Sequence, residues 1–388
     1  MTRSRLGIVV THPIHYQVPL YRYLAAQTSV EPVVLFLSEH GLTESFDREF
    51  GRLLKFDIEF TGGYEYKMVR NLSIKPHVST PWGVFNPALP RVIRRSRLDV
   101  IMVHGYSNLS HWLAYATAAC CGIPYMLRGD SQPDREPAPT CKRAAKRALI
   151  RPLVGHAGAC LAIGTLNRDF YVSYGAQTDR IFSAPYSVDT EHFISAGELG
   201  RARRTVLLES LGLASELPLV LFAAKLQPCK APHDLVTAMD KLDKPANLVV
   251  IGDGPLRADM ERLAASRPWM RTLGFVNQKA IGEWYGAADL FVLPSRRERW
   301  GLAVNEAMAA GAVPIVSDAV GCGPDLVADI GWIYPAGDVS ALARAMAQAC
   351  EPEALTERRP LARQQSVRYG IAETARGIES AVKMVLGQ

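Results

Sequence analysis

No Cys-x-x-Cys pair occurs in the 388 residues, and the seven Cys are scattered, with only Cys120 and Cys121 adjacent. Such spacing supports neither a zinc site nor a disulfide framework, and the thiols read as small apolar side chains. No Gly-x-Gly-x-x-Gly follows the first apolar segment, residues 6–10, where Thr11-His12-Pro13-Ile14-His15 stands instead. That absence argues against a dinucleotide-dependent redox enzyme. The opening residues hold an apolar run of only five before turning polar. This is too short for a signal-peptide core or a membrane span, so a cytoplasmic chain is expected. Tandem repeats are missing, which argues against solenoids and propellers. Aromatic residues do not interleave with bases as a nucleic-acid surface requires, so no nucleic-acid partner is expected.

What is present is ordinary in amount: 48% hydrophobic, 21% charged, and 44 Lys plus Arg against 38 Asp plus Glu, for a net charge of +6. Such a chain is globular, long enough for two domains and modestly biased toward anionic partners. Short Val, Ile and Leu runs recur, each followed by a turn and a helically spaced segment. In the first half, 6–10, 33–37, 100–103, 125–127 and 160–163 lack period-two alternation and read as strands buried on both faces. Helices are predicted at 19–26, 111–121, 142–154 and 166–174. In the second half the strands are 217–222, 248–251, 290–293, 313–316 and 332–334. The expected fold class is α/β: two Rossmann-like, doubly wound parallel-sheet domains, 1–190 and 191–370, facing a cleft, with 371–388 as a closing helix packing back toward the first domain. Residues 186–215, with Gly197 and Gly200, continue neither periodicity and read as an interdomain connection.

Three stretches at predicted strand ends carry chemistry. After 290–293, a loop holds Glu298 and Gly301, and a helix beginning near Leu302 carries Glu306, eight positions on from Glu298. A carboxylate accepts from both hydroxyls of a vicinal diol, which suits ribose or hexose recognition. Free amides of Gly301 and Leu302 at the helix start favour a diphosphate, which Gly301 lets approach the backbone. The plainer alternative pairs Glu298 with Arg296, Arg297 or Arg299 and leaves Glu306 as helix decoration. In the second stretch, Lys225 and Lys230 follow a strand and can bracket a diphosphate as point charges, or stand as solvated lysines. The third, Gly252-Asp253-Gly254-Pro255, is a tight turn in which Gly permits positive φ and Pro opens a helix. No Asp-x-Asp occurs, so no metal and no other cofactor is expected and cations must carry a bound diphosphate.

In this combination the chain resembles the family 4 glycosyltransferases of GT-B architecture, from about residue 217 to 334 and in the Glu-x7-Glu signature Glu298 to Glu306. The resemblance implies a retaining transferase in which Glu298 contacts the donor sugar, Glu306 the ribose hydroxyls and Lys230 a phosphate. Lys225 stands where the family usually has Arg, keeping the charge without the bidentate fork. Donor binding is carried over to Lys225, Lys230, Glu298, Gly301, Leu302, Glu306, Gly252 and, through backbone groups near 273–276 that read the base, Val276. The implied mechanism is front-face substitution at the anomeric carbon, the departing phosphate oxygen taking the acceptor proton.

The first half matches less closely. The family's Gly-rich loop is replaced by His-Pro-Ile-His-Tyr-Gln-Val-Pro over 12–19, and the His often found after a Gly-Ile-Pro segment is here Asp130, within Leu127-Arg128-Gly129-Asp130. His15 and His104 are the substitutes to test, each equally readable as a hydrogen-bonded structural His. His104 and Asp130 join Glu298 and Lys230 as catalytic candidates. His15, Arg128 and Asp130 are acceptor candidates, with Arg128 and Asp130 alternatively pairing with each other.

The partners implied are a nucleoside-diphosphate sugar and a hydroxyl acceptor, a cell-envelope, exopolysaccharide or glycolipid intermediate that could be lipid-linked. Lys142, Arg143, Lys146, Arg147 and Arg151 share one side of a predicted helix, suiting an anionic inner membrane face or merely solvent. A nucleotide-sugar epimerase or phosphorylase on the same fold, or a non-catalytic nucleotide-binding protein, remains the rival reading. Transfer predicts that Lys230→Ala or Glu306→Ala cuts turnover by orders of magnitude with the thermal midpoint nearly unchanged.

Overall fold

A computed structural model describes residues 3–42, 45–47, 52–54, 59–78, 80–133 and 139–388. The strands of the first half are β1 (Ser4–Val10), β2 (Val30–Phe36), β3 (Ser45–Asp47), β4 (Arg52–Leu54), β5 (Glu65–Met68), β6 (Val100–His104), β7 (Tyr125–Arg128), β8 (Ala159–Ala162) and β9 (Ile181–Ser183). Seven of them form a parallel sheet in the order β5-β2-β1-β6-β7-β8-β9, while β3 and β4 pair antiparallel with each other. The second half supplies β10 (Leu219–Ala223), β11 (Asn247–Ile251), β12 (Met270–Gly274), β13 (Leu290–Leu293), β14 (Val313–Ser317) and β15 (Trp332–Tyr334). These make a second parallel sheet, β12-β11-β10-β13-β14-β15.

The expected α/β class with two parallel sheets is the observed one. Two compact units divide the chain, one comprising 1–44, 58–186 and 371–388, the other 45–57 and 187–370. The near-continuous apolar runs have a direct cause. In the first sheet Val9, Val33, Leu35, Ile101 and Val103 pack into one buried cluster, while Ile8, Val10, Val34, Phe36 and Met102 pack into another on the opposite face. With helices on both faces, the central positions of these strands are left to apolar residues. The helix Ile371–Leu386 covers the second face through Ala375, Ile378, Ala381 and Val382, and full burial of an Ile or Val side chain contributes about 1.5–3 kcal/mol.

Besides the small β3–β4 pair, three strands of the two parallel sheets have no counterpart in the sequence reading: β5, β9 and β12. All three sit at sheet edges, where burial is partial and a short, mixed sequence such as Glu-Tyr-Lys-Met suffices. The helix Leu89–Arg95 also goes unforeseen, its seven residues giving too few turns for a clear period.

The larger correction concerns 186–215. This stretch is no open connection but two helices, Thr190–Ala202 and Arg204–Ser210, the first capped by the Asp189 side chain accepting from the His192 amide. Gly197 and Gly200 are where this helix meets its neighbours. A Cβ on Gly200 would lie 2.0 Å from the Glu283 carbonyl oxygen, and one on Gly197 2.5 Å from that of Ala310. Close backbone approach, not a turn, selects glycine there. The arginines that follow are structural as well: Arg201, Arg204 and Arg359 all pair with the buried Asp289 carboxylate at the amino end of β13.

Candidate functional site

In each sheet the strand order reverses direction once, between β1 and β6 in the first and between β10 and β13 in the second. Loops leaving the carboxyl ends on either side of such a point diverge and leave a crevice. His15 and His104 fall at the first of these places and Lys225, Lys230 and Glu298 at the second, while Arg128, Gly252 and Val276 stand at the ends of other strands.

In the 187–370 unit, Lys225 and Lys230 follow β10, and Glu298 follows β13. Lys230 ends a short 3-10 turn, Pro228–Lys230, and Ala231 behind it takes φ 49°, a left-handed conformation that costs a residue with a Cβ. The Arg296 amide donates to the Cys229 carbonyl at 2.8 Å, tying the two loops together. With the loops so joined, the Lys230 ammonium donates to the Glu298 carboxylate across 68 residues of sequence. Both side chains are largely buried, 16% and 18% exposed. Of the alternative partners, Arg296 forks instead onto Asp234, at 2.9 and 3.1 Å.

Glu298 is fixed by its backbone, its amide donating to the Ala319 carbonyl at 3.2 Å and its carbonyl accepting from Gly321 at 3.0 Å. Three residues on, Gly301 takes φ 100° and starts the helix Leu302–Ala310, which no side chain caps. Its first amides are therefore available to a negatively charged group. A Cβ at Gly301 would stand 3.1 Å from Val320 and 3.3 Å from Leu293.

Glu306 does not decorate a solvated face. It is 6% exposed, and its Oε2 accepts a 2.9 Å hydrogen bond from the Tyr285 hydroxyl. Burial pushes its carboxyl up to about 7, against the lowering effect of the Tyr285 bond. The expectation that Glu306→Ala leaves the thermal midpoint unchanged is corrected accordingly: truncation there opens a cavity and strands a buried hydroxyl.

The Gly252–Pro255 turn has both expected positive φ values, 145° at Gly252 and at Gly254. Pro255 does not open the helix, which begins at Arg257. The turn packs under the Lys225 loop: a Cβ on Gly252 would fall 2.0 Å from the Ala224 carbonyl oxygen, so this Gly is fixed by packing whatever else it does. Val276 lies half-buried beyond β12.

In the other unit, His15 lies in the 3-10 turn after β1, His104 ends β6 and Arg128 ends β7, with His104 and Arg128 as cross-strand partners. His104 Nδ1 stands 3.3 Å from Gln17 Nε2, while its Nε2 is buried without a partner. Burial, helped by the nearby Arg128 charge, lowers the His104 pKa well below its usual value, and burial takes His15 down to about 4. Both are neutral near pH 7 and act as hydrogen-bonding groups, not cations. Arg128 is 1% exposed, and its Nη2 donates to the Ala184 and Pro185 carbonyls at 3.2 and 2.9 Å. Its guanidinium lies over the Tyr186 ring, 5.3 Å from the centroid. Arg128 is thus buried and held through Nη2 and a ring face, while its Nε and Nη1 are buried without a hydrogen-bond partner. Asp130 follows two residues later, half-buried.

Of residues 46–82, in the less closely matched first half, 48–51, 55–58 and 79 lie outside the described residues. The basic residues 142, 143, 147 and 151 are exposed on the helix Thr140–Gly155 and Lys146 half-buried. Beside that helix a groove of about 630 Å³ is lined by Arg147, Arg151, His156 and Tyr174. No described helix is long and apolar enough to cross a membrane. Sequence reasoning missed the roles of Tyr285 and Gln17, the partners of Glu306 and His104; Tyr285 stands in no motif, Gln17 lies unremarked within 12–19, and only packing brings each to its partner.

Comparison with known proteins agrees with this picture. Residues 204–365 match the family described as "Glycosyl transferases group 1". A D-inositol 3-phosphate glycosyltransferase of Xylanimonas cellulosilytica is 37% identical over 155 residues, 38% of this chain and 37% of that protein. Sulfoquinovosyl transferase SQD2 of Arabidopsis thaliana is 31% identical over 320 residues, 80% of this chain and 58% of that protein. The chain thus spans between a third and three fifths of these relatives' lengths. A glycosyltransferase structure from Rickettsia africae ESF-5 superposes with a TM-score of 0.74 at 15% identity, covering 100% of this chain and 99% of that one. At that identity the likeness is one of fold.

Proposed function

From a segment, 204–365, that belongs to the glycosyl transferases group 1 family, we propose that the chain moves a hexose-type sugar from a nucleoside-diphosphate sugar to a hydroxyl acceptor, with retention at the anomeric carbon. The observation that carries this reading is the Lys230–Glu298 pair at the switch point of the second sheet, beside the uncapped helix start at Gly301. An ammonium, a carboxylate and free amides gathered there match the three parts of an activated sugar: its phosphates, its hydroxyls and the charge left on departure.

In the free protein Lys230 and Glu298 neutralise each other. When donor binds, Lys230 turns to the diphosphate and Glu298 to a sugar hydroxyl, so neither charge is left unpaired. Lys225 and the Gly301 and Leu302 amides add to the field on the leaving group, and the ionised Glu306 accepts from the ribose diol. Cleavage of the anomeric C–O bond sends its electron pair to the phosphate oxygen. The acceptor hydroxyl attacks from the same face and gives its proton to that oxygen. Stabilisation of the departing diphosphate is the largest protein contribution, at about 3 kcal/mol for each donor lost. Cations in place of a metal fit the absence of Asp-x-Asp.

Acceptor handling belongs in this reading to the first sheet's switch point, where neutral His15 and His104 supply hydrogen bonds next to Asp130. A lipid-linked acceptor at an anionic inner membrane face is supported by the exposed cations of Thr140–Gly155 and the adjoining basic groove.

The deciding experiment is a nucleotide-release screen with UDP-, GDP- and ADP-sugars, with and without glycolipid and polysaccharide-intermediate acceptors, followed by mass analysis. Transfer requires release that depends on added acceptor. Interconversion of the sugar without acceptor makes the protein an epimerase, and tight binding without any turnover makes it a nucleotide-binding protein.

A further inference from the structure

The loop joining β5 to the helix Leu89–Arg95 exposes large apolar side chains that the proposed chemistry does not use. Ile74 is 97% exposed, Trp82 75%, Leu72 50% and Phe85 36%. Apolar area concentrated in this way marks a surface that meets a partner.

The loop is built, not loose. The Leu72 amide donates to the Phe85 carbonyl at 2.8 Å and the Ser73 hydroxyl to the Trp82 carbonyl at 2.7 Å, joining its two arms. Asn71 Oδ1 accepts from the Ser73 and Phe85 amides at 3.0 and 2.9 Å. At its base the buried Asn86 amide group donates to the Leu37 and Val69 carbonyls at 2.9 and 2.7 Å. Ile74 and Trp82 therefore flank one cross-link at the tip, held outward by the backbone.

Charge singles out the same stretch. No acidic residue occurs between Glu65 and Asp99, an interval holding Lys67, Arg70, Lys75, Arg91, Arg94, Arg95 and Arg97. Lys67 is engaged by Glu65 and Ser96. The other six make no ion pair among the described residues and Arg70, Lys75, Arg91, Arg94, Arg95 and Arg97 are all exposed. These seven cations lie in an acid-free stretch of a chain whose net charge is only +6.

We propose that this loop seats Ile74 and Trp82 in the headgroup region of an anionic bilayer, with Arg70, Lys75 and Arg91 meeting lipid phosphates. Tryptophan favours the depth at which its ring is apolar-packed and its N–H wet, and Lys and Arg reach the phosphates around it. Two large apolar side chains exposed to 97% and 75% beside exposed cations fit a lipid surface, which needs no matching groove. This contact is separate from the helix Thr140–Gly155 and stands whether or not that helix touches membrane.

The test is sedimentation of the full chain with vesicles of phosphatidylcholine alone or with roughly a third phosphatidylglycerol. Compared with wild type are Ile74→Ser/Trp82→Ser and, as a helix control, Lys142→Ala/Arg143→Ala/Arg147→Ala. The loop variant is expected to bind anionic vesicles at least about tenfold more weakly, with an unchanged thermal midpoint. Wild-type tryptophan emission should shift to the blue on anionic vesicles, and Trp82→Phe should lose that shift. Vesicle binding equal to wild type in the loop variant, or no binding by wild type, overturns the proposal. So does binding lost only in the helix control, which leaves the helix contact standing. Self-association in sedimentation velocity that the loop variant abolishes, without vesicle binding, overturns it in favour of a second copy of the chain. Because vesicle binding is read apart from nucleotide release, an inactive protein that still binds keeps this surface and loses only the transferase reading.

Discussion

The Tyr285 hydroxyl holds Glu306 from 21 residues away, donating a 2.9 Å hydrogen bond to a carboxyl that burial has pushed up to about 7. A group proposed to accept two ribose hydroxyls is thus poised between its charged and neutral forms near pH 7. Four predictions start from this and related contacts.

Donor affinity should depend on Glu306 ionisation. The carboxylate accepts two hydrogen bonds where the acid offers less, so the dissociation constant of an intact nucleoside-diphosphate sugar should rise by up to about tenfold per pH unit below 7. Glu306→Gln should bind weakly at every pH. Calorimetric titration between pH 5.5 and 8.5, showing a wild-type profile as flat as the variant's, would remove the ribose assignment.

The same group and the buried histidines pull stability in opposite directions. Glu306 ordinarily titrates at 4.5, so between 4.5 and 7 only the folded state keeps its proton. Its contribution is best below 4.5 and declines as pH rises, by about 3 kcal/mol in all once pH passes 7. His111, fully buried and pushed down to about 3, is the reverse: its contribution is complete above 6.5 and is lost as pH falls toward 3. Hydrogen exchange at pH 5 and 7.5, corrected for intrinsic rates, should show residues 80–133 losing protection at the lower pH. Glu306→Gln should raise protection of 278–310 at pH 7.5.

Breaking the Lys230–Glu298 pair should separate chemistry from folding. Lys230→Ala removes a cation from the leaving diphosphate and should lower turnover about a hundredfold or more. Glu298 keeps some solvent access, so the thermal midpoint should fall only by a few degrees. Ordinary turnover in the purified variant would remove Lys230 from the site.

Gly200→Ala should do the opposite. Its Cβ would overlap the Glu283 carbonyl, 2.0 Å away, forcing two helices apart and costing roughly 1–3 kcal/mol. Unfolding by denaturant should show that loss, with turnover per folded molecule retained. Unchanged stability would mean the two helices pack less closely than the structure shows.

The local sequence determined a good deal here. Central strands were legible because both their faces are buried, which forces unbroken apolar runs such as Leu290–Leu293. The chemistry-bearing loops were legible because they follow those strands directly, and Gly301 marked a helix start that needs φ 100°. What tertiary structure decided is who meets whom. Glu298 meets Lys230, 68 residues away in sequence, because β10 and β13 are adjacent in the sheet, a fact set by strand order and not by spacing along the chain. Gly197 and Gly200 have the same letters in a turn as in a close helix crossing, and only the crossing helix says which they serve. The charge state of Glu306 and the burial of Arg128 depend on side chains arriving from distant elements to exclude water, and no local pattern encodes their arrival.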